Sequence, residues 1–390
     1  MNNFNFYAPT RFIFGRGEEN NVGKYIKEYG VGRVMILHYG TNLDFEVSLI
    51  KHVKESLEEA GLFYIDFDGI KPNPTVARGE EGKFIAIDQK IDFLLPVGGG
   101  SVIDTAKYIG VAVYHDGDTW SDFYLKKTPV KKTLPVGAIN TIAGTGSEGS
   151  LSSVMTKGVL KRSLNDDKIR PVFALMNPEL NFTLPAFQTA SGAVDIMAHV
   201  HERYFTLGEE NYLTDNLGES VFRTVIKYLP IALHEPDNYN ARAQLLWAGV
   251  LAHNDSCGVG RVVDGTVHGI QSEIGGMYDS PHGAGVACIT PAWMKYVYKA
   301  NPSRMVRYFT TVWSIENDPF DPEGVILAGI ERQKDFYKSV GIPVHYAELG
   351  VKEKDIPTLA STVRRGPDGK AGNFYKLDTQ DIINIYALCK

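Results

Sequence analysis

The stretch LLPVGGGSVIDTAKYIG, Leu94 to Gly110, joins an apolar run to three consecutive glycines and then to a segment with apolar residues at helical spacing. An apolar run without polar alternation is the pattern of a strand buried on both faces, as parallel sheets require. Glycines let a ligand approach the backbone closely, and free amides at a helix start attract an anion such as a pyrophosphate. An ordinary strand-to-helix turn does not need three glycines in succession. Gly98, Gly99, Gly100 and Ser101 are therefore expected to cradle a phosphate, with Asp104 counted among the same cofactor-binding residues.

On either side of it, GRVMILHYG (32–40), FYIDFDG (63–69), TLPVGAINT (133–141) and RPVFALMNP (170–178) read as further strands. Helical patterns lie in FEVSLIKHVKESLEEAG (45–61) and ARGEEGKFIAIDQK (77–90), and this β-α-β alternation favours a parallel sheet covered by helices. FNFYAPTRFIFG (4–15) is expected to form two short paired strands around Pro9, EENNVGKYIKEYG (18–30) a helix, and SSVMTKGVLKRSL (152–164) a small hairpin around Gly158. After Leu184 the apolar residues mostly recur at helical spacing through to the end, which predicts an α/β domain over 1–183 and a helical domain over 184–390.

The G-x-G-x-x-G fingerprint of an ordinary Rossmann domain would follow the first strand, but VMILHYGTNLD contains only Gly40. A second polar glycine segment, NTIAGTGSEGS (140–150), brings Thr141, Gly144 and Thr145 toward the same strand edge, beyond which open α/β sheets bind ligands.

In GAVDIMAHVHERYF, Asp195 and His199 are four positions apart and share one face of a helix. His268 lies in a second helical pattern, and His282 follows a Ser-Pro pair that opens a third. One carboxylate with three neutral imidazoles suits a divalent cation such as Fe2+ or Zn2+, with an open position for a substrate oxygen. His201 points elsewhere on its helix and His253 has no partner at ligand spacing, so both read as structural.

The 390 residues are 44% apolar, enough for a sizeable core, and 40 basic against 46 acidic residues give a net charge of -6 with no long run of either sign. Nucleic-acid and polybasic membrane partners are not expected. Cys257, Cys288 and Cys389 are scattered without C-x-x-C spacing, which fits a reducing cytoplasm. MNNFNFYAPT has neither the basic nor the apolar region of a signal peptide, and there is no apolar run of the roughly 18 to 20 residues that a bilayer span needs.

Taken together, FNFYAPTRFIFGRG, VGGGSVIDTAKYI, IAGTGSE, GAVDIMAHVHERYF and SPHGAGVACITPAWMKYV resemble the iron-containing (group III) alcohol dehydrogenases, particularly their butanol dehydrogenase-like branch, nearly end to end. The resemblance implies an N-terminal dinucleotide-binding domain, a helical metal-binding and substrate domain, a catalytic cleft between them, and a homodimer. It makes Asp195, His199, His268 and His282 the metal ligands and adds Lys161 as a cofactor contact. Many relatives carry another histidine four positions beyond the first of the paired histidine ligands; this chain has Ser272, which is read as either a proton relay or a pocket wall. The segment GRVVDGT before His268 is a second departure, from the Asp-Trp-containing segment common in that branch.

The expected reaction is reversible hydride transfer between NAD(P)H and a small or medium aldehyde/alcohol pair such as butanal and butanol. A dehydroquinate synthase-like lyase and a non-catalytic nucleotide- or metal-binding relative are the alternatives. At the end of the first core strand Gly40, Thr41 and Asn42, taken as cofactor contacts, carry no charge, although Asp44 is close. An acidic group there would hydrogen-bond the ribose and repel a 2′-phosphate, so NADP(H) is expected in preference to NAD(H).

Overall fold

Strands β2 (Arg33–Leu37), β4 (Phe93–Gly98), β5 (Gly137–Asn140) and β8 (Phe173–Met176) are buried at almost every position, whereas β1 (Arg11–Phe14) and β3 (Phe63–Phe67) are largely part-exposed. Their order explains this: the computed structural model, which describes residues 1–208 and 210–390, has one six-stranded sheet in the order β1-β8-β5-β4-β2-β3. All its pairings are parallel, so the inner strands are covered on both faces and the two part-exposed strands are its edges.

Helices α1 (Val22–Lys27) and α2 (Asp44–Glu59) pack together, as do α3 (Val76–Asp88) and α4 (Gly100–Ala112). The first pair shares a core with Val34, Ile36, Phe93 and Leu95, the second with Met35, Leu37 and Leu94. Alternate strand residues thus point to opposite helical layers. The chain reverses its direction of growth across the sheet between β2 and β4, which leaves a crevice at their carboxyl ends. The hairpin of β6 (Ser152–Lys157) and β7 (Leu160–Asn165) forms as expected around Gly158, whose φ of 62° suits the turn.

The N-terminal pair of strands does not form. Residues 4–8 adopt no strand, and β1 pairs in parallel with β8 instead, at four successive positions along a buried neighbour, while Pro9 interrupts any local return.

Beyond residue 184 the chain is helical: α5 (Ala186–Tyr204), α6 (Tyr212–His234), α7 (Tyr239–His253), α8 (Thr266–Tyr278), α9 (His282–Val297), α10 (Pro302–Trp313), α11 (Pro322–Ser339), α12 (Ile356–Thr362) and α13 (Thr379–Leu388). Two compact units result, one comprising Tyr7–Leu184 with Pro236–Val250, the other Met1–Phe6, Pro185–Glu235 and Leu251–Lys390. A single division at 183/184 does not provide for residues 236–250. They join the sheet-bearing unit because Leu246 and Val250 of α7 pack on Ala174 and Met176 of β8, and Trp247 meets Phe12 edge-on. The three cysteines are buried and form no disulfide, and no helix among the described residues is long and apolar enough to cross a membrane.

The loop after β5 is tied down from beneath. Lys107 of α4 is fully buried and its ammonium donates to the carbonyls of Ser147 (2.7 Å), Ser150 (2.9 Å) and Ser152 (2.7 Å). Glu148 is buried beside it, and burial pushes its carboxyl up to about 7, against the opposing pull of its own backbone amide and Lys107. A carboxyl that holds its proton more firmly folded than unfolded gives stability that is complete below the unfolded value and is lost as pH rises through the folded one. Glu148→Gln, which imitates the protonated form, should therefore match the parent near pH 4.5 and exceed it above pH 7 by roughly 2–3 kcal/mol in urea melts. A parent that stays the more stable protein at pH 8 would count against this account.

Candidate functional site

At the crevice between β2 and β4, helix α4 starts at Gly100 with no side-chain cap, so its first turn retains backbone donors for an anion. A Cβ at Gly100 would stand 2.5 Å from Thr145 Oγ1, so only glycine lets the loop after β5 lie against the cradle. The amide of Thr141 donates to the Gly98 carbonyl (3.2 Å), and Tyr39 Oη, at the end of β2, accepts from the amide of Gly99 (3.2 Å). Gly98 to Ser101, Thr141, Gly144 and Thr145 are thus brought to one sheet edge, an arrangement that fits the pyrophosphate of a dinucleotide.

Asp104 and Lys161, expected as cofactor contacts, stand in this neighbourhood. Both Asp104 oxygens are engaged, by Ser147 Oγ (2.6 Å) and the amide of Val154 (3.0 Å). Lys161 on β7 is buried, donates to Asn73 Oδ1 (2.8 Å), and lies near enough to Asp104 to oppose the upward push of burial on that carboxyl.

The loop after β2 holds a residue that the sequence reading missed. Glu46, from the first turn of α2, turns its carboxylate back under the loop and accepts from the amides of Tyr39 (2.9 Å), Gly40 (3.1 Å) and Thr41 (2.7 Å), and from the Thr41 hydroxyl. Gly40, Thr41 and Asn42 remain exposed. The premise behind the NADP(H) expectation, that no acidic group reaches this loop, therefore does not hold. The available signal was an acidic residue in the opening turn of the following helix, where N-terminal carboxylates commonly bind free amides.

In the helical unit, α5 and α9 cross in backbone contact: a Cβ at Gly283 would lie 1.9 Å from the Ser191 carbonyl oxygen. This close approach sets His282, the first residue of α9, beside Asp195 on α5. Around Asp195 Oδ1 stand three ring nitrogens, Nε2 of His282 at 3.3 Å, of His268 at 3.4 Å and of His199 at 3.6 Å. All four expected ligands are brought together, and the donor atoms of Asp195, His268 and His282 lie within 4.8 Å of one another.

Asp195 is 2% exposed, yet its Oδ1 has no hydrogen-bond partner. Leaving a buried carboxylate oxygen unmet is costly unless a cation meets it, so the donor set fits a divalent ion. The surrounding electrostatics agree. Burial alone would raise the Asp195 carboxyl, but His282 and His199 hold it well below the usual range. Burial likewise opposes charge on His268, but Glu202 and Asp195 outweigh it and lift that imidazole to about 10. The pocket therefore favours added positive charge.

Two further residues fix the rings. Glu202, one turn beyond His199 on α5, places Oε2 2.9 Å from His268 Nδ1 and accepts the His268 amide at Oε1 (2.9 Å). Gln271, fully buried on α8, pairs its Oε1 with His282 Nδ1. Both contacts leave Nε2 facing Asp195, the role outer-shell partners of metal-binding histidines play. Neither was identified from sequence, because their spacing to the rings becomes meaningful only once α5, α8 and α9 are packed.

Ser272 donates its hydroxyl to the His268 carbonyl one turn earlier (2.7 Å). His253 stacks on His199 with ring centroids 3.9 Å apart, and so borders the cluster. His201 is directed away, within hydrogen-bond distance of Tyr308 Oη (2.7 Å) and against Phe222, and burial depresses it to about 3. The divergent segment before His268 has its own anchor: Asp264 accepts from the amides of Asn373 (2.6 Å) and Phe374 (2.6 Å) and fastens the C-terminal region to the start of α8.

Comparison with known proteins agrees with this geometry. The iron-containing alcohol dehydrogenase family matches over residues 9–178 and its C-terminal region over 189–389. NADH-dependent butanol dehydrogenase A of Clostridium acetobutylicum is 33% identical across 99% of both chains, and the NADPH-dependent aldehyde reductase YqhD of Escherichia coli is 31% identical across 92% of each. The crystal structure of an NADH-dependent butanol dehydrogenase A from Thermotoga maritima superposes with a TM-score of 0.95, at 34% identity, covering 100% of this chain and 99% of that one. With a parallel α/β sheet, a largely helical second unit and a buried aspartate ringed by imidazoles, this chain belongs to the iron-containing alcohol dehydrogenase family and is an NAD(P)-dependent, metal-dependent oxidoreductase.

Proposed function

We propose that this chain interconverts small or medium primary alcohols and their aldehydes, butanol and butanal among them, and acts chiefly as an aldehyde reductase. The observation that carries the reading is the convergence of three imidazole Nε2 atoms on the unpartnered oxygen of Asp195. The names of the butanol dehydrogenases and of the aldehyde reductase it resembles support the substrate class. When bound, NAD(P)H supplies the hydride and Fe2+ or Zn2+ the Lewis acidity toward the carbonyl oxygen.

Asp195, His199, His268 and His282 would hold the ion, while Glu202 and Gln271 keep His268 and His282 aimed at it. The glycines at 98–100 and Ser101, with Thr141, Gly144 and Thr145, would orient the dinucleotide, and Asp104 and Lys161 support that surface from below. Ser272 spends its proton on a backbone carbonyl, which supports its serving as pocket wall and as a brace for His268. A relay role would require that proton to be released.

A second copy of this chain is the proposed partner. Edge strand β1 carries Phe12 and Phe14, which with Trp247 (40% exposed) line an apolar hollow in the sheet-bearing unit. Exposed edges of this kind are normally covered.

Four variants test the reading. His268→Ala should lose bound metal and butanal reduction together with an unchanged far-ultraviolet dichroism spectrum, and Glu202→Gln should weaken metal affinity about 10–100-fold. A metal-free His268→Ala enzyme with full activity would sink the assignment. Ser272→Ala should retain metal content and the parent's pH–rate profile while changing which aldehyde chain lengths are used; loss of rate with an altered profile would instead restore the relay role. The parent should sediment as a dimer and Trp247→Glu as a monomer, whereas a monomeric parent would refute the proposed interface.

A further inference from the structure

Strands β2 and β4 are adjacent, with Leu37 opposite Pro96, and the amide of Gly99 in the phosphate cradle reaches Tyr39. The 39–42 loop therefore borders the cradle at the same sheet edge, where the adenosine ribose of a bound dinucleotide lies in folds of this kind. Successive free amides in such a loop make a concavity suited to an anion. Here the concavity is already filled. Three successive amides, those of Tyr39, Gly40 and Thr41, and the Thr41 hydroxyl all turn to Glu46, which is 8% exposed.

More negative charge flanks the loop. The amide of Gly69 donates to the Tyr39 carbonyl (3.1 Å), so Asp68 lies alongside, and a Cβ built at Gly40 would be 2.8 Å from Asp68 Cβ. Asp66 stands on β3, 3.8 Å from His38, which is also 3.5 Å from Glu46. Two of the nearby cations are committed. Lys54 pairs with Asp66 (2.6 Å), and Arg78 pairs with Glu81 (2.5 Å) and donates to the Asp68 carbonyl. A phosphate ester on the 2′ position would find its natural donors taken and would meet carboxylates, whereas ribose hydroxyls would have acceptors at hand.

We propose that Glu46 is the cofactor-specificity residue of this chain: by occupying the amide concavity after β2 it selects NAD(H) over NADP(H). The inference rests on the dehydrogenase reading only for the identity of the cofactor.

The test is binding of NAD+ and NADP+ to the full-length, metal-loaded protein by isothermal titration, without any aldehyde, and again with AMP and 2′-phospho-AMP as fragments. The parent should bind NAD+ and AMP at least about tenfold more tightly than their 2′-phosphorylated counterparts. In Glu46→Gln, which keeps an acceptor for the loop amides but removes the charge, that ratio should shrink by about tenfold, and the kcat/KM ratio for NADH over NADPH should fall with it. General damage to the loop would weaken both cofactors alike and leave the ratio in place. Asp68→Asn, a change at an exposed side chain, should move the ratio in the same direction by less. Tighter binding of NADP+ by the parent, or a ratio unmoved in Glu46→Gln, would overturn the proposal and leave the aldehyde reductase reading standing. Binding of neither dinucleotide would overturn both.

Discussion

A carboxylate with almost no exposure, one oxygen of which faces three ring nitrogens and lacks a hydrogen bond, is the constraint around which the helical unit is arranged. Burying an ionised group without a counter-charge costs several kcal/mol, and replacement of the charge by packing would abolish the reason for the surrounding histidines. The unit therefore carries a standing demand for a cation. Much of its construction serves that demand: α5 presents Asp195 and His199 one turn apart, Gly283 permits α9 to touch α5, and Glu202 and Gln271 prevent two of the rings from turning. The second-layer residues are themselves buried, so their orientation is fixed by packing as well as by hydrogen bonds.

The sheet-bearing unit solves a related problem with opposite charge. An anionic ligand needs backbone amides that the fold has not consumed, and these survive only at a helix start or in a loop. At Gly100 they are kept open by the absence of a cap; after β2 they are closed by Glu46. Two neighbouring loops with the same backbone chemistry thus differ in what they can accept because one internal side chain has reached only one of them.

Much of this was legible in the sequence. Uninterrupted apolar runs marked β2, β4, β5 and β8 because inner parallel strands have no wet face, and the Asp195/His199 spacing marked a shared helical face because helical periodicity is local. What escaped depended on distant partners. The apolar alternation of residues 4–15 suggested local pairing, but β1 found its partner some 160 positions away in β8. Glu202 and Gln271 meet their histidines only across packed helices, and Glu46, though its partners are five to seven positions back, meets them only because the loop after β2 folds over it. Their roles follow from contacts that no periodicity encodes.

The interleaving of the two units has a consequence for how the protein is made. The sheet acquires its last packing helix only from residues 236–250, and the segment that closes Met1–Phe6 into the helical unit includes Gly260, whose carbonyl receives the Asn2 amide at 3.1 Å. A nascent chain emerges from its amino end, and domains generally fold as units while synthesis proceeds. On a ribosome, Ala174 and Met176 would remain without Leu246 and Val250 until about 70 further residues had been translated, a delay of several seconds at ~5–20 residues per second. Throughout that interval Ala174 and Met176 lack the cover that α7 supplies, so the order of the gene itself delays the closure of this part of the sheet until α7 arrives.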